Sequence, residues 1–204
     1  NLFGLPSEAQ IVIDAAGKYV SPGFIDIHVH GGGGYDFMDE SEEAFLNVAK
    51  LHAQYGTTSL LATTLTATKE GILNTLDIYN KVHQAPNEGA QLLGIHLEGP
   101  FVNPEMAGAL PKHDLHAPSV AGLRAILGPS TGSGRMVRTL TVAPELSGSF
   151  DMIAECVKSG VRVSLGHSKS DAATARKAAQ HGAVGATHLF NAMGPIHHRE
   201  IGLA

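Results

Sequence analysis

The chain has 204 residues, of which 43% are hydrophobic and 16% are charged, and its formal net charge is −5. This length and composition predict one globular domain, and the negative charge without a basic cluster argues against nucleic acid or an acidic membrane surface as a partner. No apolar stretch approaches the roughly 20 residues of a membrane helix. The single cysteine, Cys156, excludes an internal disulfide and suits a reducing compartment, so we expect a cytoplasmic protein.

The first 20 residues predict the remnant of a small flanking β element. Residues 9–20, "AQIVIDAAGKYV", have the pattern of a short strand, a turn and the start of a second strand. The main domain, residues 21–204, begins with the strand pattern "SPGFIDIHVH" and continues with the helix pattern "SEEAFLNVAKLHAQYG". Ser41 is expected to cap this helix and Gly56 to end it.

The same unit of a strand followed by a helix recurs along the rest of the chain. Further strand patterns occupy residues 57–65, 90–99, 136–145, 161–168 and 183–193, with helix patterns at 69–84, 119–127, 148–160 and 169–182. A long loop spans residues 100–118, and "GPSTGSGR", residues 128–135, predicts a linker. The alternation implies a parallel sheet with right-handed crossovers and helices outside.

Both an open doubly wound sheet and a (β/α)8 barrel fit this alternation, and the polar residues at strand ends distinguish them. His28 and His30, Glu98, His167 and His188 end the first, third, fifth and sixth predicted strands. In a barrel these ends converge on one mouth, whereas an open sheet spreads them along an edge. We therefore predict an α/β fold, a (β/α)8 TIM-type barrel that is incomplete, with strands seven and eight missing, in a piece of a longer protein.

The first strand carries a pair of candidate metal ligands. His28 and His30 are two residues apart, so both side chains leave the same face of the strand. Together they could bind one metal ion, although a hydrogen-bonded pair at a loop edge is the alternative. The four glycines at 31–34 would let a ligand approach the backbone, but they lack the spacing of a dinucleotide-binding motif.

A second candidate set consists of Glu98, His167 and His188. Glu98 ends an apolar strand, where an unpaired carboxylate is costly, so it is predicted to bind a metal unless it forms an ion pair or a helix cap. Imidazoles and a carboxylate in a set of three leave a coordination position for water, which is typical of catalytic sites. His96, on the same face as Glu98, is predicted to be a packed structural histidine.

Other residues rank lower as sites. The segment "HHRE" places Arg199 beyond the sixth strand, where its guanidinium could bind a phosphate or simply be solvated. Strand four ends in "VAPE" without a lysine that could be carbamylated to bridge two metals, so Glu98 would be the bridge if a second ion sits at His28 and His30. Cys156 is predicted to be packed in a helix.

Five segments together resemble the amidohydrolase superfamily and, within it, the N-acetylglucosamine-6-phosphate deacetylase family: "PGFIDIHVHG", "HLEGPF", "SLGHS", "THLFNAM" and "HHREIGL". The first is shared by many amidohydrolases, whereas the others are more specific. The resemblance implies metal-dependent deacetylation of N-acetyl-D-glucosamine 6-phosphate to D-glucosamine 6-phosphate and acetate, in amino-sugar catabolism.

The resemblance also implies cofactors and residue roles. One or two divalent ions are expected, zinc first, with iron, manganese and cobalt as alternatives. Glu98, His167 and His188 would hold the catalytic ion, and His28 and His30 would hold a second ion, as in some members of the family. The implied substrate contacts are Asn191, Ala192, Arg199, His198 and Ala109. A homodimer is implied, in which Arg199 serves the neighbouring subunit's site.

The family's general base is an aspartate on the eighth strand, which would lie beyond residue 204. The 204 residues alone are therefore predicted to be inactive. Two alternatives stay open at the level of the sequence. One is an amidohydrolase that acts on a cyclic amide, of the dihydroorotase or hydantoinase kind, against which the missing lysine and Arg199 argue. The other is a metal-free binding protein on a degenerate barrel.

Overall fold

The computed structural model describes residues 11–128 and 136–204. In chain order its strands are β1 (Phe24–Val29), β2 (Gly31–Gly32), β3 (Tyr35–Asp36), β4 (Thr57–Thr64), β5 (Gln91–Glu98), β6 (Val137–Val142), β7 (Arg162–Leu165) and β8 (Ala183–Ala186). Its α-helices are α1 (Glu42–Gln54), α2 (Lys69–Val82), α3 (Val120–Leu127), α4 (Ser149–Lys158) and α5 (Ala172–Gln180). Two short 3-10 helices, Pro104–Met106 and Lys112–Asp114, lie in the long loop after β5.

The main sheet of the described residues has six strands in the order β1-β4-β5-β6-β7-β8, and every neighbouring pair is parallel. Because strand order follows chain order and such crossovers are right-handed, the connecting helices lie on one face of the sheet. The sheet curls into a half-barrel, which confirms the predicted incomplete TIM-type barrel. A doubly wound sheet would instead reverse its strand order at a switch point.

Four of the five α-helices in the described residues begin where the sequence provides a side-chain cap, and α4 begins after Gly148 without one. The Ser41 hydroxyl accepts a hydrogen bond of 3.0 Å from the backbone N–H of Ala44, which starts α1. Thr68, Ser119 and Asp171 cap α2, α3 and α5 in the same way. Each cap satisfies a backbone donor that has no partner inside the helix. These local signals explain why the predicted helices are confirmed to within a few residues.

The hydrophobic core lies between the outer face of the sheet and the helices. Strands contribute fully buried residues such as Leu60, Ile95 and Leu140, and helix α4 contributes Met152. Cys156 is also buried in α4, which confirms that it is packed, and burial raises the pKa of its thiol to about 12. This core holds the strands, and therefore the side chains at their ends, in fixed relative positions.

Residues 11–20 differ from the sequence-based expectation. They contain a turn, in which the Lys18 N–H donates to the Ala15 carbonyl at 2.9 Å, but no strand, and most of them are exposed. The expected strands on either side of the turn are therefore wrong for the described residues, while residues 9 and 10 lie outside them. A flanking β element at residues 1–20 stays a prediction. Most of the expected linker, residues 129–135, also lies outside the described part of the chain.

The four glycines after β1 form a small hairpin that the sequence analysis missed. Strands β2 and β3 pair antiparallel, and Gly33 and Gly34 connect them with φ angles of +64° and +88°. Two successive left-handed residues are typical of the tight turn that suits a twisted hairpin. A Cβ atom on Gly31 would lie 2.2 Å from the Tyr35 carbonyl oxygen. The glycine run is therefore explained by the shape of this hairpin.

Candidate metal centre

The five candidate metal ligands lie at the carboxyl ends of the parallel strands. Glu98 is the last residue of β5, His28 lies near the end of β1, and His30 follows that strand directly. His167 and His188 come two residues after the ends of β7 and β8. Because the carboxyl ends of the strands meet at one edge of the half-barrel, residues far apart in sequence converge there.

Glu98, His167 and His188 form a compact triangle of ligand atoms. Oε1 of Glu98 lies 2.8 Å from Nε2 of His188 and 3.0 Å from Nε2 of His167, and the two Nε2 atoms lie 3.1 Å apart. Ligand atoms around a tetrahedral zinc ion, with bonds of about 2.0–2.1 Å, are separated by roughly 3.3 Å. The triangle therefore has the spacing of ligands to one ion.

Glu98 also takes part in a second group, with His28 and His30. Its Oε2 atom lies 3.0 Å from Nε2 of His30, and its Oε1 atom lies 3.7 Å from Nε2 of His28. All ligand atoms of this group lie within 4.8 Å of one another, as do those of the first group. Because the two groups share one carboxylate with its oxygens turned to different histidines, Glu98 could bridge two ions.

The rings of His167 and His188 are oriented by backbone carbonyl groups. Nδ1 of His167 lies 2.8 Å from the carbonyl oxygen of Met106, and Nδ1 of His188 lies 3.1 Å from that of Asn191. A carbonyl oxygen can only accept, so Nδ1 is the donor in each ring, and in the neutral form of the ring Nε2 has a lone pair available to a metal. Both histidines have positive φ angles, +47° and +34°, a strained conformation for residues other than glycine.

Glu98 is an ionised carboxylate in a buried position, 2% exposed. Burial by itself raises its pKa, but the histidines around it, His167, His188 and His30 by hydrogen bonds and His28 by its charge, lower the pKa far more, to well below the ordinary range. In return, Glu98 raises the pKa of His30, against the effect of burial, and raises that of His188. The site thus concentrates one negative charge among imidazoles, as a cation site requires.

His96, whose ring lies beside that of the candidate ligand His28, is buried, as predicted. Its Nδ1 atom lies 3.0 Å from the carbonyl oxygen of Ile27, and its Nε2 atom lies 2.8 Å from Oγ1 of Thr141. Burial lowers the pKa of His96 to about 4, so the ring is neutral near pH 7. It also contacts Nδ1 of His28 at 3.3 Å. His96 therefore joins β1, an edge strand of the sheet, to β5 and β6.

Three of the five predicted substrate residues lie near the metal ligands. The carbonyl of Ala192 accepts a hydrogen bond of 3.1 Å from the N–H of Ser168, and Asn191 contacts the His188 ring through its carbonyl. Ala109 is exposed and follows Gly108, where an added Cβ atom would lie 3.8 Å from the His167 ring. These positions agree with a role at the site, although the role itself stays a prediction.

Arg199 and His198 are exposed, and their contacts do not link them to the metal ligands. The His198 ring packs on His197 with centroids 4.6 Å apart, and the backbone N–H of Arg199 donates to Nδ1 of His197 at 3.3 Å. Within residues 11–128 and 136–204, no carboxylate forms an ion pair with the Arg199 guanidinium. Their phosphate-binding role therefore also stays a prediction.

The sequence analysis missed two polar residues beside the site, Asn103 and Glu145. They are joined by a hydrogen bond of 2.9 Å and lie in the loops after β5 and β6. The segment "VAPE" drew notice only because it lacks a lysine, yet its glutamate stands directly beyond a strand end, as the candidate ligands do. That placement was the signal that could have identified Glu145.

The chain is similar to known proteins of one family. The model of the Amidohydrolase family matches residues 19–204. The chain is 40% identical over 192 residues to N-acetylglucosamine-6-phosphate deacetylase from Bacillus subtilis (strain 168), which covers 92% of this chain and 48% of that protein. It is 39% identical over 202 residues to the enzyme of the same name from Homo sapiens. That alignment covers 93% of this chain and 47% of the human protein. The chain thus spans about half the length of the curated relatives it matches.

Solved structures agree with the sequence relatives. The crystal structure of N-acetyl-D-glucosamine-6-phosphate deacetylase from Mycobacterium smegmatis superposes with a TM-score of 0.82 at 36% identity, covering 89% of this chain and 46% of that one. A mutant of that protein in complex with N-acetyl-D-glucosamine-6-phosphate gives the same values. Within the described residues of the present chain, no helix is both long enough and apolar enough to cross a membrane.

Proposed function

Since the chain belongs to the amidohydrolase family, we propose that it forms the metal-binding part of an enzyme that hydrolyses N-acetyl-D-glucosamine 6-phosphate to D-glucosamine 6-phosphate and acetate. The observation that carries this proposal is the convergence of Glu98, His167 and His188 in a chain whose relatives bear the name of that deacetylase. The complex of the mycobacterial relative with N-acetyl-D-glucosamine-6-phosphate supports the choice of substrate.

We assign the primary ion to Glu98, His167 and His188, whose donor set of one carboxylate and two imidazoles suits zinc. Iron, manganese and cobalt accept the same ligands. An ion held there would supply the Lewis acidity that activates water and polarises the acetamide carbonyl. The chain itself keeps Glu98 ionised and turns both Nε2 atoms inward through the carbonyls of Met106 and Asn191.

A second ion is proposed at His28 and His30, with Glu98 as the shared ligand. The two oxygens of this carboxylate face different histidines, which supports a bridging role. His96, neutral and hydrogen-bonded, fixes the backbone of β1 just before His28. The metal stoichiometry of the protein at its full natural length tests this second position.

We assign the sugar phosphate to the loop after β8, with Asn191, Ala192, His198 and Arg199 as its contacts, and a further substrate contact to Ala109. A guanidinium such as that of Arg199, exposed and without a carboxylate partner in the described residues, is suited to bidentate binding of a phosphate. Its exposure supports the proposal that it serves the neighbouring subunit of a homodimer.

The general base and acid is proposed to be an aspartate outside these 204 residues, on a later strand of the barrel. Edge strands β1 and β8 expose apolar side chains on Ile25 (64%), Ile27 (63%) and Val184 (71%). Further strands that complete the barrel would cover such residues. A reducing compartment, the cytoplasm, is proposed for the enzyme because its one cysteine here is unpaired and buried.

The proposal is tested with the protein expressed at its full natural length. Metal content is measured first, and acetate release is then compared between N-acetylglucosamine 6-phosphate and N-acetylglucosamine. We expect bound metal and turnover that depends on the phosphate. Metal without preference for the phosphorylated sugar would favour an amidohydrolase for cyclic amides, and absence of metal would contradict the assignment of Glu98, His167 and His188.

The phosphate contact is tested separately with Arg199→Ala. We expect KM for the phosphorylated sugar to rise at least about tenfold with a smaller change in kcat, because the guanidinium binds a part of the substrate that does not react. Arg124→Ala is the matched control, since that side chain is 66% exposed and its guanidinium pairs with Glu155 of helix α4. Equal KM values for Arg199→Ala and wild type would refute the phosphate contact.

A further inference from the structure

A single carboxylate, that of Glu145, joins the loops that follow three consecutive strands. It accepts hydrogen bonds from Nδ2 of Asn103 at 2.9 Å, from Oγ of Ser168 at 2.7 Å and from the backbone N–H of Lys169 at 2.7 Å. Asn103 lies after β5, Glu145 after β6, and Ser168 and Lys169 after β7. The three loops are therefore held together at the carboxyl end of the sheet, where the candidate metal ligands lie.

The groups that Glu145 binds are the same groups that hold His167. The backbone N–H of Asn103 donates to the His167 carbonyl at 3.0 Å, and Ser168 directly follows His167 in the chain. The backbone carbonyl of Asn103 also accepts a hydrogen bond of 2.9 Å from the N–H of Met106. The Met106 carbonyl accepts a hydrogen bond of 2.8 Å from Nδ1 of His167. The backbone of His167 is thus anchored to Glu145 through Asn103, and its ring is anchored through Met106 and Asn103.

His167 needs such anchoring because its backbone is strained. Its φ angle is +47°, and residues other than glycine keep that conformation only where their surroundings enforce it. Hydrogen bonds to an ionised acceptor are roughly twice as strong as neutral ones. Ser168 directly follows the strained residue His167, and its fully buried hydroxyl donates one such hydrogen bond to Glu145. An uncharged side chain at position 145 would provide weaker bonds to the same donors.

We propose that Glu145 is a positioning residue for His167. In this role it contacts neither metal nor substrate, and it acts by holding the backbone of residues 167–169 and the Asn103 loop so that Nε2 of His167 faces Glu98. Glu145 is absent from both ligand groups found among the described residues, which agrees with this indirect role. The inference depends on the proposed function in one respect, namely that His167 binds the metal.

The test uses the protein at its full natural length, as wild type, Glu145→Ala and Glu145→Gln. Zinc affinity is measured by competition with a chelator, and crystal structures of the metal-free proteins are compared. We expect Glu145→Ala to weaken zinc binding roughly 10- to 100-fold, the usual effect of losing a partner of a ligand. Glu145→Gln keeps a carbonyl acceptor and should lose less. Glu88→Gln, in the exposed pair with Lys50, is the control and should match wild type.

The metal-free crystals provide a result that does not depend on metal binding. In Glu145→Ala we expect the φ angle of His167 to leave the positive region and its Nε2 atom to move away from Oε1 of Glu98, which lies at 3.0 Å in the native chain. An unmoved His167 together with zinc affinity within twofold of wild type would overturn the proposal. Failure of the wild type to bind zinc would contradict the proposed function, and the position of His167 would still decide the role of Glu145.

A milder variant keeps the test decisive if Glu145→Ala does not fold. Ser168→Ala removes one of the three donors to Glu145 and preserves the carboxylate. We expect it to weaken zinc binding about threefold and to leave a larger spread of His167 positions in the metal-free crystal. Unchanged affinity and an unchanged His167 in both Ser168→Ala and Glu145→Gln would count against the positioning role.

Discussion

The Nε2 atoms of His167 and His188 lie 3.1 Å apart although the two residues follow different strands and are 21 positions apart in sequence. Each ring has its Nδ1 atom bound to a backbone carbonyl, and each Nε2 atom faces the same oxygen of Glu98. This relationship makes the three residues one unit, so the loss of any member is expected to affect the binding of metal by the other two.

The first prediction concerns Glu98→Gln. The amide has no charge, and its NH2 group would compete with a metal for the lone pairs of His167 and His188. We expect metal content to fall and kcat/KM to drop more than about 100-fold, beyond the usual effect of losing an indirect partner. Elemental analysis and acetate release measure both. Glu88→Gln, in an exposed ion pair with Lys50, is the control, and a metal-replete, active Glu98→Gln would contradict the assignment.

The second prediction concerns the pH dependence of the stability of metal-free protein. The folded-state pKa values of His30 and His188 are raised by Glu98 above the ordinary value of 6.5. Their stabilising effect is therefore complete below about pH 6.5 and is lost as pH rises through the folded-state pKa values. Burial lowers the pKa values of His28 and His96, which opposes this trend, so we expect the stability advantage of chelated wild type over chelated His188→Gln to fall from pH 6 to pH 8.

Metal-loaded protein should show the opposite trend over the same range, because protons compete with the ion for the histidines. Thermal unfolding with and without chelator at pH 6, 7 and 8 checks both trends. A stability difference between chelated wild type and chelated His188→Gln that does not fall between pH 6 and pH 8 would show that His188 is not paired with Glu98.

The third prediction concerns Gly99→Ala, directly after Glu98. Gly99 has a φ angle of +86°, and an added Cβ atom would lie 2.0 Å from Oγ1 of Thr66, which hydrogen-bonds the Glu98 carbonyl. We expect a loss of about 2–4 kcal/mol in the free energy of unfolding, from backbone strain and overpacking together. Gly71→Ala is the control, since its Cβ would make only ordinary contacts of 3.5 Å in helix α2 and should stabilise by up to about 1 kcal/mol.

Denaturant unfolding measures both glycine variants, and metal affinity shows whether the displacement reaches Glu98. We expect Gly99→Ala to bind metal more weakly as well as to unfold more easily, because Thr66 can no longer keep its bond to the Glu98 carbonyl. Equal stability of Gly99→Ala and wild type would mean that the close approach of Gly99 and Thr66 does not exist in solution.

The fourth prediction concerns His96→Leu. The leucine would leave the Ile27 carbonyl without its donor and Oγ1 of Thr141 without one of its partners, which costs about 1–3 kcal/mol in a buried position. We also expect weaker binding of a second ion at His28, since His96 holds the neighbouring backbone. Denaturant unfolding and metal stoichiometry check the two effects. His113→Leu, whose side chain is 81% exposed, should change neither.

Much of the fold follows from local signals along the chain. Caps such as Ser41 and Asp171 hold backbone donors within three residues of themselves, so the helix starts are visible in the sequence. The alternation of strands and helices implies a parallel sheet, and the histidines at strand ends imply a barrel mouth. The expected strands in residues 11–20 failed because strand formation requires a pairing partner, which those residues do not have in the described chain.

The sequence by itself determined the order of the six main-sheet strands and the five α-helices, the resemblance to a family and the five candidate ligands. Only the tertiary structure decided that Glu98 faces two histidine groups at once, that His96 joins β1 to β6, and that Glu145 connects three loops around His167. The physical reason is the range of the interactions. Caps and strand patterns depend on neighbours a few residues away, whereas the carboxylates of Glu98 and Glu145 bind groups 23 to 90 positions away, which only the folded sheet brings together.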